Sequence, residues 1–215
     1  EFSTKVRGID FEKNTYAIDN VLLAGANIDA DLFLPSTPKK TLPKDESVDD
    51  KRNDRGAPLQ LVTNRLVLDD VKVKYNNTAT GRKGGLDPNH LNFSKLNLEL
   101  RNFKMNKDYY AGTVNSAQIQ EAAGLNILKF NTDFLYSEKQ AFLKSLYLET
   151  PRTVLRDEVV LDYNSIQQLS ANPGSVRMYA NLRNTKIAFS DITNLVPSLR
   201  RTAPFNTYPN AVVNL

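Results

Sequence analysis

The run Leu66-Val67-Leu68-Asp69-Asp70-Val71-Lys72-Val73-Lys74-Tyr75 decides the fold. Leu66 and Leu68 stand two apart, a two-residue acidic break follows, and Val71, Val73 and Tyr75 resume the alternation in opposite parity. On a helix, at about 100° per residue, these positions scatter around the axis and no face collects them. In a strand the two halves point to opposite faces unless an extra residue is absorbed at the break. A β-bulge absorbs it, restores one apolar face and sharpens the local twist.

The same signature recurs at Tyr16-Ile18/Val21-Leu23, at Leu91-Phe93/Leu96-Leu98-Leu100 and at Leu125-Ile127/Phe130-Phe134, the last blurred by Thr132. Repetition of a bulged, one-sided strand predicts a sheet that curls around an apolar interior. Further strands are expected at 2–34, 59–75, 110–120, 142–150, 154–163 and 175–189. The links between them are short and polar, as in Asn106-Lys107-Asp108, Ser137-Glu138-Lys139-Gln140 and Asn172-Pro173-Gly174. Links this short favour antiparallel neighbours, since a parallel crossover needs about a dozen residues. The expected fold is therefore all-β, an antiparallel meander forming a curved or U-shaped sheet.

Four parts are expected along the chain: N-terminal strands at 1–34, a charged loop at 35–58, the main sheet at 59–189, and a short helix opening a next module at 190–215. The second holds Pro35, Pro38, Pro43 and Pro58 among dense charge of both signs and has almost nothing to bury. In the fourth, Ser190 and Asp191 offer an N-cap ahead of Ile192, Leu195, Val196 and Leu199, and Pro197 limits a helix at 190–199 to a turn or two.

The 215 residues carry a net charge of +4, with an apolar fraction of 40%. Mean hydropathy is -0.44 and the sequence pI about 9.1. No stretch approaches the roughly eighteen apolar residues of a membrane span. Lys and Arg are mixed with Asp and Glu and form no aromatic-basic motif, so nucleic acid is not an expected partner. Cysteine is absent, which excludes disulfides and thiolate chemistry.

His90 is the one histidine and has no second ligand to share a metal. The adjacent pairs Asp69-Asp70 and Asp49-Asp50 point to opposite faces in a strand, so bulge or loop polarity explains them better than acid-base chemistry. No nucleophile elbow, zinc-protease, phosphate-loop or dinucleotide fingerprint occurs. The expectation is a protein that is not an enzyme and has no cofactor.

What remains is the apolar face, with candidate lining residues Leu66, Leu68, Val71, Val73, Tyr75, Leu91, Phe93, Leu96, Leu98, Leu100, Leu125, Ile127, Phe130 and Phe134. A wall of this size needs a neighbour other than water. A second sheet, closure into a barrel, or a trough holding acyl chains would each satisfy it, and the pattern alone leaves the three open.

Two runs carry a family resemblance. Gly124-Leu125 leads into Asn126-Ile127-Leu128-Lys129-Phe130-Asn131-Thr132-Asp133-Phe134-Leu135-Tyr136-Ser137, and Leu146-Tyr147-Leu148-Glu149 runs into Thr150-Pro151-Arg152-Thr153. With the decisive run at Leu66 to Tyr75, these resemble TamB/AsmA-like periplasmic proteins of Gram-negative bacteria, in particular the Bacteroidetes type. In those proteins a Gly-Leu turn-strand, a Tyr-Ser hairpin and a Thr-Pro strand end recur. The segment Thr185-Lys186-Ile187-Ala188-Phe189-Ser190-Asp191-Ile192 is similar to the one that opens the next module.

The resemblance implies an internal fragment of a longer, inner-membrane-anchored periplasmic protein that offers an apolar β-groove to phospholipid acyl chains. It implies outer-membrane biogenesis, including outer-membrane protein assembly with a BamA-like barrel met by parts outside this chain. An edge-to-edge dimer is a further expectation for a sheet with unpaired edges. The alternative from the residues is a β-sandwich module binding carbohydrate or protein at a surface.

Overall fold

In the computed structural model the described residues are 1–33, 57–166, 175–195 and 197–215. The expected charged loop at 35–58 lies outside them apart from Ala57 and Pro58. So do Leu34, Asp49-Asp50, the separator Asn172-Pro173-Gly174, Val196 and the side chain of Leu195.

The described residues form one large, open, mostly antiparallel sheet of twelve strands, with one short helix near the C-terminus among them. In chain order the strands are β1 (Phe2–Asp10), β2 (Thr15–Ala24), β3 (Asn27–Leu32), β4 (Gln60–Asn77), β5 (His90–Met105) and β6 (Tyr109–Glu121). Then come β7 (Asn126–Ser137), β8 (Gln140–Glu149), β9 (Val154–Asp162), β10 (Arg177–Asn181), β11 (Lys186–Ala188), the helix α1 (Phe189–Leu195) and β12 (Val212–Asn214). The spatial order is β1-β2-β4-β5-β6-β7-β8-β9-β11-β12, with β3 also on β4 and β10 also on β9.

From β4 to β9 the strands form the expected antiparallel meander. The N-terminal part departs from it, because β2 and β3 both run parallel to β4. The connection from Leu32 to Gln60 is far longer than a parallel crossover requires, so the short-link argument does not apply there. β2 and β3 lie end to end along β4 in one unbroken register: Thr15 opposes Gln60, Asn27 opposes Lys72, and the offset stays at 45 residues.

All four sequence breaks coincide with register shifts. Asp19 is extra in β2 against β1. Asp69 and Asp70 face Asn97 alone, Ser94 is extra in β5 against β6, and Leu128 and Lys129 bulge in β7. Asp70 takes φ 47°, the left-handed region that Asp and Asn enter more readily than most residues. Asn102, Ser145 and Asp157 take it elsewhere in the sheet.

The expected strand at 175–189 is two strands, β10 and β11, both antiparallel to β9. They part at Asn184 (φ 49°), beside Asp157 (φ 81°). An Asp157 carboxylate oxygen accepts the Arg183 N–H at 3.0 Å there. The helix begins at Phe189 rather than after Ser190, because ladder pairing of β11 with β12 ends at Ala188 and the chain turns at once. Phe189 packs on Phe205 with ring centroids 4.7 Å apart, and a 3₁₀ turn, Pro197–Arg201, follows the helix.

Because the described strands make one sheet, few side chains have neighbours on all sides. Among the described residues only seven apolar side chains are buried, Val71 and Ala188 completely, at 0% exposure. None of the described helices is long and apolar enough to cross a membrane.

Candidate functional site

The bulges deliver one apolar wall. Leu66 opposes Leu100, Leu68 opposes Leu98, Val71 opposes Leu96, Val73 opposes Phe93 and Tyr75 opposes Leu91. Directly opposed residues share a face and touch, so these ten candidates form a ladder of apolar pairs. The ladder continues across the sheet. One row runs Phe2, Leu23, Leu68, Leu98, Ala117, Phe130, Leu148, Leu155, each opposite the next. A second runs Thr4, Val21, Leu66, Leu100, Val114, Thr132.

Thr132, which interrupts the pattern in sequence, is buried in that second row. Its hydroxyl donates to the Lys144 carbonyl at 2.9 Å, so a polar atom sits in the wall without an unmet hydrogen bond. Thr63 is different: it is 2% exposed and its hydroxyl has no partner.

Ile127 opposes Ile119, Phe130 opposes Ala117 and Phe134 opposes Gly112. A Cβ at Gly112 would stand 3.3 Å from the Phe134 ring, so the glycine makes room for it. Leu125 belongs to the turn before β7 rather than to the strand, its carbonyl accepting the Glu121 N–H at 2.9 Å. It is half-buried and shares a hollow with α1.

One apolar part of the wall is a hollow of about 360 Å³ whose lining includes Val114, Phe130, Phe134, Leu143, Val159 and Leu161. Four successive strands, β6 to β9, contribute to it, so the sheet curls at this place. Aromatic rings crowd its end: Phe103 and Phe134 stand 6.4 Å apart, Tyr110 and Tyr136 6.2 Å. The Tyr163 hydroxyl donates to the Ser137 carbonyl at 2.6 Å, and burial pushes its pKa up.

Sequence reasoning missed the contribution of β6 and β8. Gly112-Val114/Ala117-Ile119 and Ala141-Leu143/Leu146-Leu148 carry the same spacing, with Gly or Ala in place of a large side chain. Register shifts fall at both breaks, at Asn115-Ser116 and Lys144-Ser145.

The other face is polar. Glu99 accepts from Arg101 at 2.7 Å and from Arg65 at 3.1 Å, which holds its carboxyl below the usual range, Arg101 acting most strongly. The Asn97 amide donates to Gln118 at 3.3 Å, and Thr113 to Asp133 at 2.7 Å. Asp70 belongs to this ladder and Asp69 is exposed beside it.

His90 is tied into its own loop, one ring nitrogen 2.6 Å from the Asn76 side-chain oxygen and the other 2.9 Å from the Thr80 carbonyl. Among the described residues no group of three His, Cys, Asp or Glu side chains could hold a metal ion. Compared with known proteins, the chain matches no family model, no curated protein and no solved structure.

Proposed function

We propose that this chain is a non-enzymatic groove segment of a TamB/AsmA-type periplasmic protein, and that its apolar wall carries phospholipid acyl chains toward the outer membrane. The observation that supports this most is the unbroken apolar row from Phe2 to Leu155 on a sheet with no second layer among the described residues. Each methylene that leaves water for this wall is favourable by about 0.8 kcal/mol. Repetition of near-equal rows offers no deep well, so a chain can slide along it. In the longer protein, outer-membrane biogenesis with a BamA-like barrel would involve parts outside this chain.

The test is organic extraction of the purified chain followed by lipid mass spectrometry. Phospholipid at a fixed molar ratio is expected. Lipid-free protein that also fails to take up added phospholipid would overturn the reading, and glycan binding in its place would favour a surface-binding module.

A further inference from the structure

The two ends of the wall are built differently. One carries the tyrosines at 110, 136 and 163, the first two paired beside the apolar hollow. Across the other lies α1. Asp191 accepts a 2.5 Å hydrogen bond from the hydroxyl of Thr150, in the β8–β9 connection. Asn194 stands over Gly124 in the β6–β7 turn, where a Cβ would lie 3.7 Å from its amide nitrogen. Pro197 presses on Gly85 in the β4–β5 loop so closely that a Cβ there would collide with its ring.

In an antiparallel meander these three connections all fall at one end of the sheet. On a flat sheet they would span four strand spacings, about 19 Å. The four helical steps from Asp191 to Leu195 rise only about 6 Å, and two further residues reach about 7 Å more at full extension. Contact with all three therefore needs a curled sheet end or a loop that leans inward, and it sets the helix against this end of the sheet. Leu125, the wall's last apolar residue in the β6–β7 turn, shares a hollow of about 360 Å³ with Ser190, Asp191 and Asn194.

We infer that α1 is a stop for the trough: an apolar chain lying on the wall meets the docked helix beyond Leu125 and does not pass that end. This rests on the acyl-chain reading. The helix has seven residues, too few to hold its shape without tertiary contacts, so loosening those contacts removes the stop without touching the strands.

The test uses a fluorescent long-chain fatty acid loaded on the whole chain and its transfer to phosphatidylcholine vesicles. The double variant Thr150→Val with Asp191→Ala is expected to raise the transfer rate several-fold by opening an exit at the α1 end. In the same variant, amides 189–195 are expected to exchange hydrogen about tenfold faster, the loss of one charge-assisted hydrogen bond, with β4 to β8 unchanged.

Thr150→Cys with Asp191→Cys supplies the chain's only thiols. Oxidised to a staple, it is expected to leave transfer at the wild-type rate. No gain in transfer on release, or a several-fold loss on stapling, would overturn the stop. Failure of every form to take up fatty acid would instead overturn the acyl-chain reading, while the exchange measurement would still report on the docking of α1.

Discussion

The side-chain oxygen of Asn97 accepts a 2.6 Å hydrogen bond from the backbone N–H of Asp70, across the bulge that reverses strand parity in β4. A bulge frees backbone groups from the ladder, and here the neighbouring strand supplies the missing acceptor from a side chain. Asn97→Ala is expected to lower stability in urea by about 1 kcal/mol, since water replaces part of the lost bond at this exposed site. Asp70→Val places a β-branched residue in the left-handed region and is expected to cost about 2 kcal/mol. A smaller effect for valine than for Asn97→Ala would contradict this account of the bulge.

The unpartnered hydroxyl of Thr63 gives the opposite sign. It sits in the apolar wall between Ile18 and Phe103. Thr63→Val keeps the shape and removes the unsatisfied group, so the melting transition should rise, by about 1 kcal/mol in equivalent stability. An unchanged or lower midpoint would show that the hydroxyl is satisfied in solution.

The two faces should respond differently to charge. Leu98→Asp and Phe134→Lys interrupt the wall and are expected to abolish fatty-acid uptake by the whole chain. Lys104→Asp, on the exposed opposite face between Phe103 and Met105, should leave uptake at the wild-type level. Equal losses from both faces, measured by fluorescence titration, would remove the wall from the mechanism.

Acid should weaken the fold through its bonded carboxylates. Asp87 is held below its ordinary 3.8, chiefly by the Lys83 backbone N–H, and Glu99 below 4.5, chiefly by Arg101. A carboxylate depressed in the folded state contributes stability that is fully present above its unfolded value and lost as pH falls through the folded one. Thermal midpoints should therefore hold steady from neutral pH down to about pH 5 and then fall. Asp87→Asn should shrink that fall, and an equal fall in the variant would assign acid lability elsewhere.

The fold was legible where large apolar residues marked the period. Leu66 to Tyr75 and Leu91 to Leu100 predict both the bulge and the pairing face, because a break in parity has few other structural solutions. β6 and β8 use the same spacing but fill it with Gly112, Ala117 and Ala141, which carry too little apolar signal to register. The parallel pairing of β2 with β4 left no trace in either strand, since partner choice across a long connection depends on register and not on local pattern. α1 was placed nearly right, but its start follows from where β11 stops pairing, which is tertiary information.

Gly25, at φ 59°, stands in register beside Asp70, at φ 47°, where β2 gives way to β3 along β4. Two neighbouring strands thus kink at the same height, and further bulges step across the sheet at Asn115-Ser116 and Lys144-Ser145. Kinks aligned in this way form a crease. A creased sheet is stiff along its strands and more compliant about the fold line, where the ladder is interrupted, than across the intact ladders on either side. Gly25 supplies the compliance at the edge, where a left-handed turn comes without side-chain strain.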